Sequence, residues 1–128
     1  MQRQLKFRVW DKLENRFIYP DKGYQGHYVL DLNGKFHNLQ NGSGGDEYVV
    51  QQFIGVLDKQ GKEIFEGDLV NYLYQLGEHD TEHTQGEVYF EDGIFYFDRS
   101  YEWAMNDVCF ISKSLEVIGN IFELKQPL

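Results

Sequence analysis

The most chemically suggestive spacing in the chain is His79-Asp80-Thr81-Glu82-His83. It matches the H-x-x-E-H pattern of inverted zinc proteases, in which one helical face points two imidazoles at a metal and the Glu holds a water. Here the stretch lies between Gly77 and Gly86, is wholly polar, and carries no apolar stripe that would hold a helix against a core. It is expected to be a polar connector, and a metal-dependent hydrolase around His79, Glu82 and His83 is the weakest of three functional readings. Cys109 sits between Val108 and Phe110-Ile111. A nucleophilic cysteine needs a neighbouring His or a helix N-terminus, so an apolar setting makes this a packing residue. Glu63, Glu66 and Asp68 could pair as acids, but Glu-Gly-Asp before an apolar strand reads more simply as a turn. No G-x-x-x-x-G-K-[ST] or G-x-G-x-x-G loop is present, and no catalytic, cofactor or metal residue is assigned.

Charge offers a different kind of chemistry. Residues 1–16 carry five bases (Arg3, Lys6, Arg8, Lys12 and Arg16) against two acids, a balance of +3. Residues 78–107 carry nine acids and only Arg99, a balance of −8, within a chain of net charge −9. The five N-terminal bases are the one credible phosphate-facing surface, and nucleic-acid binding through them is the second reading. From residue 17 onward seven bases face nineteen acids, which argues against a basic groove. The opposed charges suit self-association or a basic partner better. The acidic half could also imitate a phosphate backbone, although acidity equally serves solubility.

The elements that must position these groups are strands. Aromatic residues make up 16% of the chain, and no segment sustains helical periodicity. Residues 4–10 alternate, with Leu5, Phe7 and Val9 on one side and Lys6 and Arg8 on the other, which predicts a strand with one buried face. A turn over residues 11–15 returns the chain through 16–19, forming an N-terminal hairpin. Asn33-Gly34 predicts a second hairpin with a type I′ turn, and residues 41–46 form a Gly/Ser loop at the plausible internal boundary. Residues 48–57 are a long β-prone run, followed by a turn over 58–62 with Gly61 at a positive-φ position. Residues 69–74 form a further strand, and residues 76–85 a polar loop. Asp92-Gly93 turns another hairpin, residues 101–107 read as a short helical turn, and residues 115–122 close the sheet with a bulge at Gly119.

Three of these stretches, taken in order, are similar to one family. Residues 5–11 (Leu-Lys-Phe-Arg-Val-Trp-Asp) resemble its opening IKFRAWD. Residues 53–70 resemble its central YTGLKDKNGKEIYEGDIV, with Phe53, Val56 and Phe65 in place of Tyr, Leu and Tyr. Residues 116–123 (Glu-Val-Ile-Gly-Asn-Ile-Phe-Glu) resemble its closing EVIGNIYE. This is the pattern of the YopX family of small proteins encoded by bacteriophages and prophages. The segment between Pro20 and Glu47 matches no such pattern.

The resemblance implies a β-rich fold with a small SH3-type barrel after about residue 47, and association with phage genomes. It implies no activity and no catalytic residues. The expected organisation is therefore a mostly-β chain with an N-terminal β-hairpin region over 1–46 and a barrel region over 47–128. With no apolar run long enough to span a bilayer, no secretory signal and one cysteine, a soluble protein of the bacterial cytoplasm is expected. The leading expectation is a non-enzymatic accessory protein, without cofactor, that acts by contact with a phage or host protein and self-associates.

Overall fold

A computed structural model of the chain describes residues 4–19, 27–75, 81–98, 103–104 and 110–123. The fold is mostly β. Strands β1 (Phe7–Asp11), β2 (Arg16–Ile18), β3 (Tyr28–Leu30) and β4 (Phe36–Asn38) precede a short 3-10 turn. They are followed by β5 (Tyr48–Leu57), β6 (Glu63–Phe65), β7 (Asp68–Gln75), β8 (Thr81–Glu87), β9 (Tyr89–Glu91), β10 (Ile94–Asp98), β11 (Trp103–Ala104) and β12 (Phe110–Asn120). The chain divides into two compact units within β5, after Phe53. The boundary expected from the Gly/Ser loop lay earlier, at residue 46.

In the first unit β1 pairs antiparallel with both β2 and β5, with Val9 opposite Ile18 and Val50. The β3–β4 hairpin pairs Tyr28 with Asn38 and Leu30 with Phe36. Val9, Ile18 and Phe36 form the core, with Tyr28, Leu30, Tyr48 and Val50 packed against it. Alternation along β1 predicts one buried face, yet Arg8, Val9, Trp10 and Asp11 are all buried. Burial of Arg8 is tolerated because its guanidinium is partnered: Nε donates to Gln51 Oε1 at 2.9 Å, and Cζ lies 4.2 Å from the centre of the Phe17 ring.

The hairpin at Asn33-Gly34 differs from the expected two-residue turn. Gly34 alone takes positive φ, at 81°, and the loop spans the five residues from Asp31 to Lys35. Asp31 captures it. Its Oδ1 accepts the N–H groups of Asn33 and Lys35, both at 2.9 Å, while its carbonyl accepts that of Gly34. An Asx turn of this kind competes successfully with the type I′ geometry. Type I′ character falls instead on Asp92-Gly93, where both residues have positive φ (52° and 80°) between the paired Glu91 and Ile94.

In the second unit β7 lies between β12 and β8, β10 lies between β9 and β11, and β6 pairs with β5. β10 runs against β8, and the strands curl into a half-barrel. Among the described residues each of these sheets is open, so the SH3-type closure is not part of what is described. The core is closed to solvent: Ile64, Val70, Tyr72, Val88, Phe97 and Leu115 are wholly buried, and Tyr72 meets Phe97 edge-on at 4.4 Å. The bulge expected at Gly119 is present as a register shift between Val117 and Gly119. Residues 81–85, expected as loop, belong to β8, an edge strand whose polar side chains conceal its pairing with β7. Of residues 101–107, only Trp103 and Ala104 are described, and they are strand.

The resembling blocks within this unit are stitched together by bonds from main-chain N–H groups. Asp58 Oδ2 accepts the N–H of Val117 at 3.0 Å, Lys59 N–H reaches the Leu115 carbonyl, and Ile121 N–H reaches the Gly67 carbonyl. Asp68, buried, accepts the Phe65 N–H at 2.9 Å and closes the Glu66-Gly67 turn.

Candidate functional site

The residues singled out from the sequence are only partly among those described. His79 and Cys109 lie outside the described residues, as does Arg3. Thr81–Glu87 is a strand, so the helix that H-x-x-E-H chemistry requires is not formed across Glu82 and His83. His83 is exposed opposite Leu73. Among the described residues no group of three His, Cys, Asp or Glu side chains could hold a metal ion. Glu63, Glu66 and Asp68 mark the β6–β7 turn, and the Asp68 carboxylate is engaged with main chain as described above.

Of the basic set, Lys6, Arg8, Lys12 and Arg16 are described, and they differ in exposure. Arg8 is inside the sheet, whereas Lys12 and Arg16 are exposed around the β1–β2 turn. That turn is headed by Asp11, whose Oδ1 accepts the Leu13 and Glu14 N–H groups at 3.0 and 3.2 Å. Lys12 and Lys35 line a shallow polar depression of about 480 Å³ that Asp46 also borders. Lys6 belongs to a different feature.

That feature is an apolar cleft of about 430 Å³ in the first unit. Its floor includes Val9, Ile18 and Phe36 of the core, and its walls include Phe7 and Tyr28. Leu5 and Val29 stand at its mouth, 58% and 40% exposed, and Lys6 adds one ammonium to the lining. The cleft exists because the three-residue strands of the β3–β4 hairpin cover only part of the apolar face of β1 and β2. Volume and lining suit one or two apolar side chains. Apart from Lys6 and the hydroxyls of Tyr19 and Tyr28, the lining is apolar, which suits it to bind an apolar group. The alternation of residues 5–9 places Leu5, Phe7 and Val9 on one face. The cleft itself is not visible in that pattern, because Tyr28 and Phe36 arrive there only through tertiary folding.

Two carboxyls, one in each unit, are held below the ordinary aspartate range. For Asp31 the first cause is the His37 side chain, whose Nε2 lies 3.0 Å from Oδ2, followed by the Lys35 N–H. For Asp58 burial pushes upward, and N–H bonds from Val117, Lys62 and Gln60 outweigh it.

No curated protein matches the chain. It is similar to the crystal structure of protein EF1440 from Enterococcus faecalis, at 26% identity and a TM-score of 0.57, over 95% of this chain and 96% of that one. No helix among the described residues is long and apolar enough to cross a membrane. The YopX protein family matches residues 6–126, nearly the whole length, and the chain belongs to that family.

Proposed function

We propose that this chain is a non-enzymatic, phage- or prophage-encoded accessory protein that acts in the host cytoplasm by binding another protein. The carrying observation is the apolar cleft of the first unit, open to solvent, with Leu5 and Val29 exposed at its mouth. Open clefts of this lining are where an apolar anchor from a partner is desolvated. Self-association belongs to the same reading, since the +3 and −8 segments are complementary between copies. The SH3-type barrel over 47–128 also belongs to it, and rests on the family resemblance.

The test is capture of partners from phage-infected cells by the wild-type chain and by a Leu5→Asp, Val29→Lys variant. Both positions are exposed at the mouth, so the variant keeps the fold while filling the cleft with charge. Loss of the captured protein supports the reading, and unchanged capture overturns it. Light scattering at two salt concentrations checks self-association, and a salt-insensitive monomer removes that part. Titration with single- and double-stranded DNA separates the basic-hairpin alternative, for which salt-dependent retention is the signature.

A further inference from the structure

We infer that Asn33 is a site of spontaneous deamidation, converted to aspartate and isoaspartate ahead of the chain's other Asn-Gly pair, Asn41-Gly42. The chemistry needs only water. The Gly34 nitrogen loses its proton to solvent and bonds to Asn33 Cγ, and the bond from Cγ to the amide nitrogen Nδ2 breaks to release ammonia. A succinimide remains. Water then opens it, either at Cγ to give aspartate or at the backbone carbonyl to give isoaspartate, and no oxidant or reductant is consumed.

Glycine is the residue that obstructs this ring closure least, because it has no Cβ. Around Gly34 the space is open as well, with nothing within 4 Å of where a Cβ would stand. Gly42 is equally open. The nitrogens are also matched, since Gly34 N–H donates to the Asp31 carbonyl and Gly42 N–H to that of Asn38, both at 2.9 Å. The two sites differ in the asparagine side chain. Asn41 Oδ1 accepts from the Ser43 N–H at 2.8 Å and the Ser43 hydroxyl at 2.6 Å. To bring Cγ onto the Gly42 nitrogen, both bonds must break. Asn33 is exposed, and no hydrogen bond to its side-chain amide is found among the described residues. An internal control stands in the second unit, where the same turn carries Gln60-Gly61. Glutamine must close a six-membered ring, which is slower.

Conversion adds one negative charge beside Asp31. In the isoaspartate form it also adds a backbone carbon inside a five-residue loop, which displaces the Lys35 N–H from Asp31 Oδ1.

The experiment ages the purified full chain at mildly alkaline pH, native and in urea. Peptide mapping by mass spectrometry and labelling with an isoaspartate-specific methyltransferase follow each site. In the native chain Asn33 is expected to convert roughly tenfold faster than Asn41 or more, the rate equivalent of the two hydrogen bonds that hold the Asn41 side chain. In urea the two rates should approach one another, and Ser43→Ala should speed Asn41 in the native chain. Asn33→Gln should abolish the first signal. Equal native rates, faster conversion at Asn41, or an inert Asn33 alongside a reactive urea control would overturn the inference.

Discussion

The two units bury their apolar residues to different depths, and a turn built once in each is anchored to a different extent. In the second unit six core residues have no exposed surface, whereas in the first Val9, Ile18 and Phe36 retain 5%, 9% and 7% at the floor of an open cleft. Asp31-Leu32-Asn33-Gly34-Lys35 and Asp58-Lys59-Gln60-Gly61-Lys62 fold alike. In each, Oδ1 accepts from the third and fifth residues, and the aspartate carbonyl accepts from the glycine, whose φ is 81° or 84°. The remaining oxygen differs. Asp58 Oδ2 reaches Val117 across 59 residues, and Asp31 Oδ2 reaches His37, six residues on. Five residues determine the shape of such a turn; its partner determines how much of the fold depends on it.

The sharpest way to break the comparison is to truncate each core. Leu115→Ala leaves a closed cavity and should destabilise the second unit by about 4 kcal/mol, while Ile18→Ala opens into the cleft, where water enters, and should cost about 2 kcal/mol. Urea unfolding gives the totals, and hydrogen exchange assigns each loss to a unit. Equal losses would mean that the first unit is as closed as the second.

Next in size are the two aspartates. Asp58→Ala leaves the Gln60, Lys62 and Val117 N–H groups without their acceptor and should cost about 2–3 kcal/mol. Asp31→Ala, at an exposed loop, should cost distinctly less. In the first variant amide exchange should rise at Val117 as well as in the turn, and in the second only within the hairpin. A purely local response to Asp58→Ala would remove the claim that this turn ties β12 down.

The same pair predicts an acid response. Both carboxyls titrate below their ordinary value in the folded chain. Their stabilisation is therefore complete above that value, about 3.9, and is lost as pH falls through the lower native one. The stability gap between wild type and Asp58→Asn should thus be flat near neutrality and narrow below about pH 4. A gap that widens on acidification would reverse the assigned direction.

Much of this arrangement is legible in the sequence where the cause is local. The β1–β2 hairpin, the run of β5, the turn over 58–62, the Asp92-Gly93 hairpin and the bulge at Gly119 all follow from alternation and turn residues. What escapes depends on partners far along the chain. β8 reads as loop because its residues are polar, and only pairing with β7 makes it a strand. Arg8 reads as a solvent-facing cation because its partner Gln51 lies 43 residues away. At Asn33-Gly34 the cause is different, and local. The dipeptide on its own favours type I′, and the carboxylate of Asp31, two residues earlier, overrides it by capturing the loop's N–H groups. The site is the least legible part, since the cleft requires β3 and β4, which lie within the unmatched segment, to fold against β1 and β2.

The smallest predicted effect is also the control for the rest. Gly34→Ala and Gly61→Ala each force a Cβ onto positive φ, and neither meets an atom within 4 Å. The penalty is conformational alone, about 1 kcal/mol at each site. It should be equal in the two units, because backbone strain in a turn does not depend on what the turn is attached to. Unequal penalties in urea unfolding would show that the two loops differ already in local geometry. The contrast between Asp31 and Asp58 would then no longer isolate the reach to Val117.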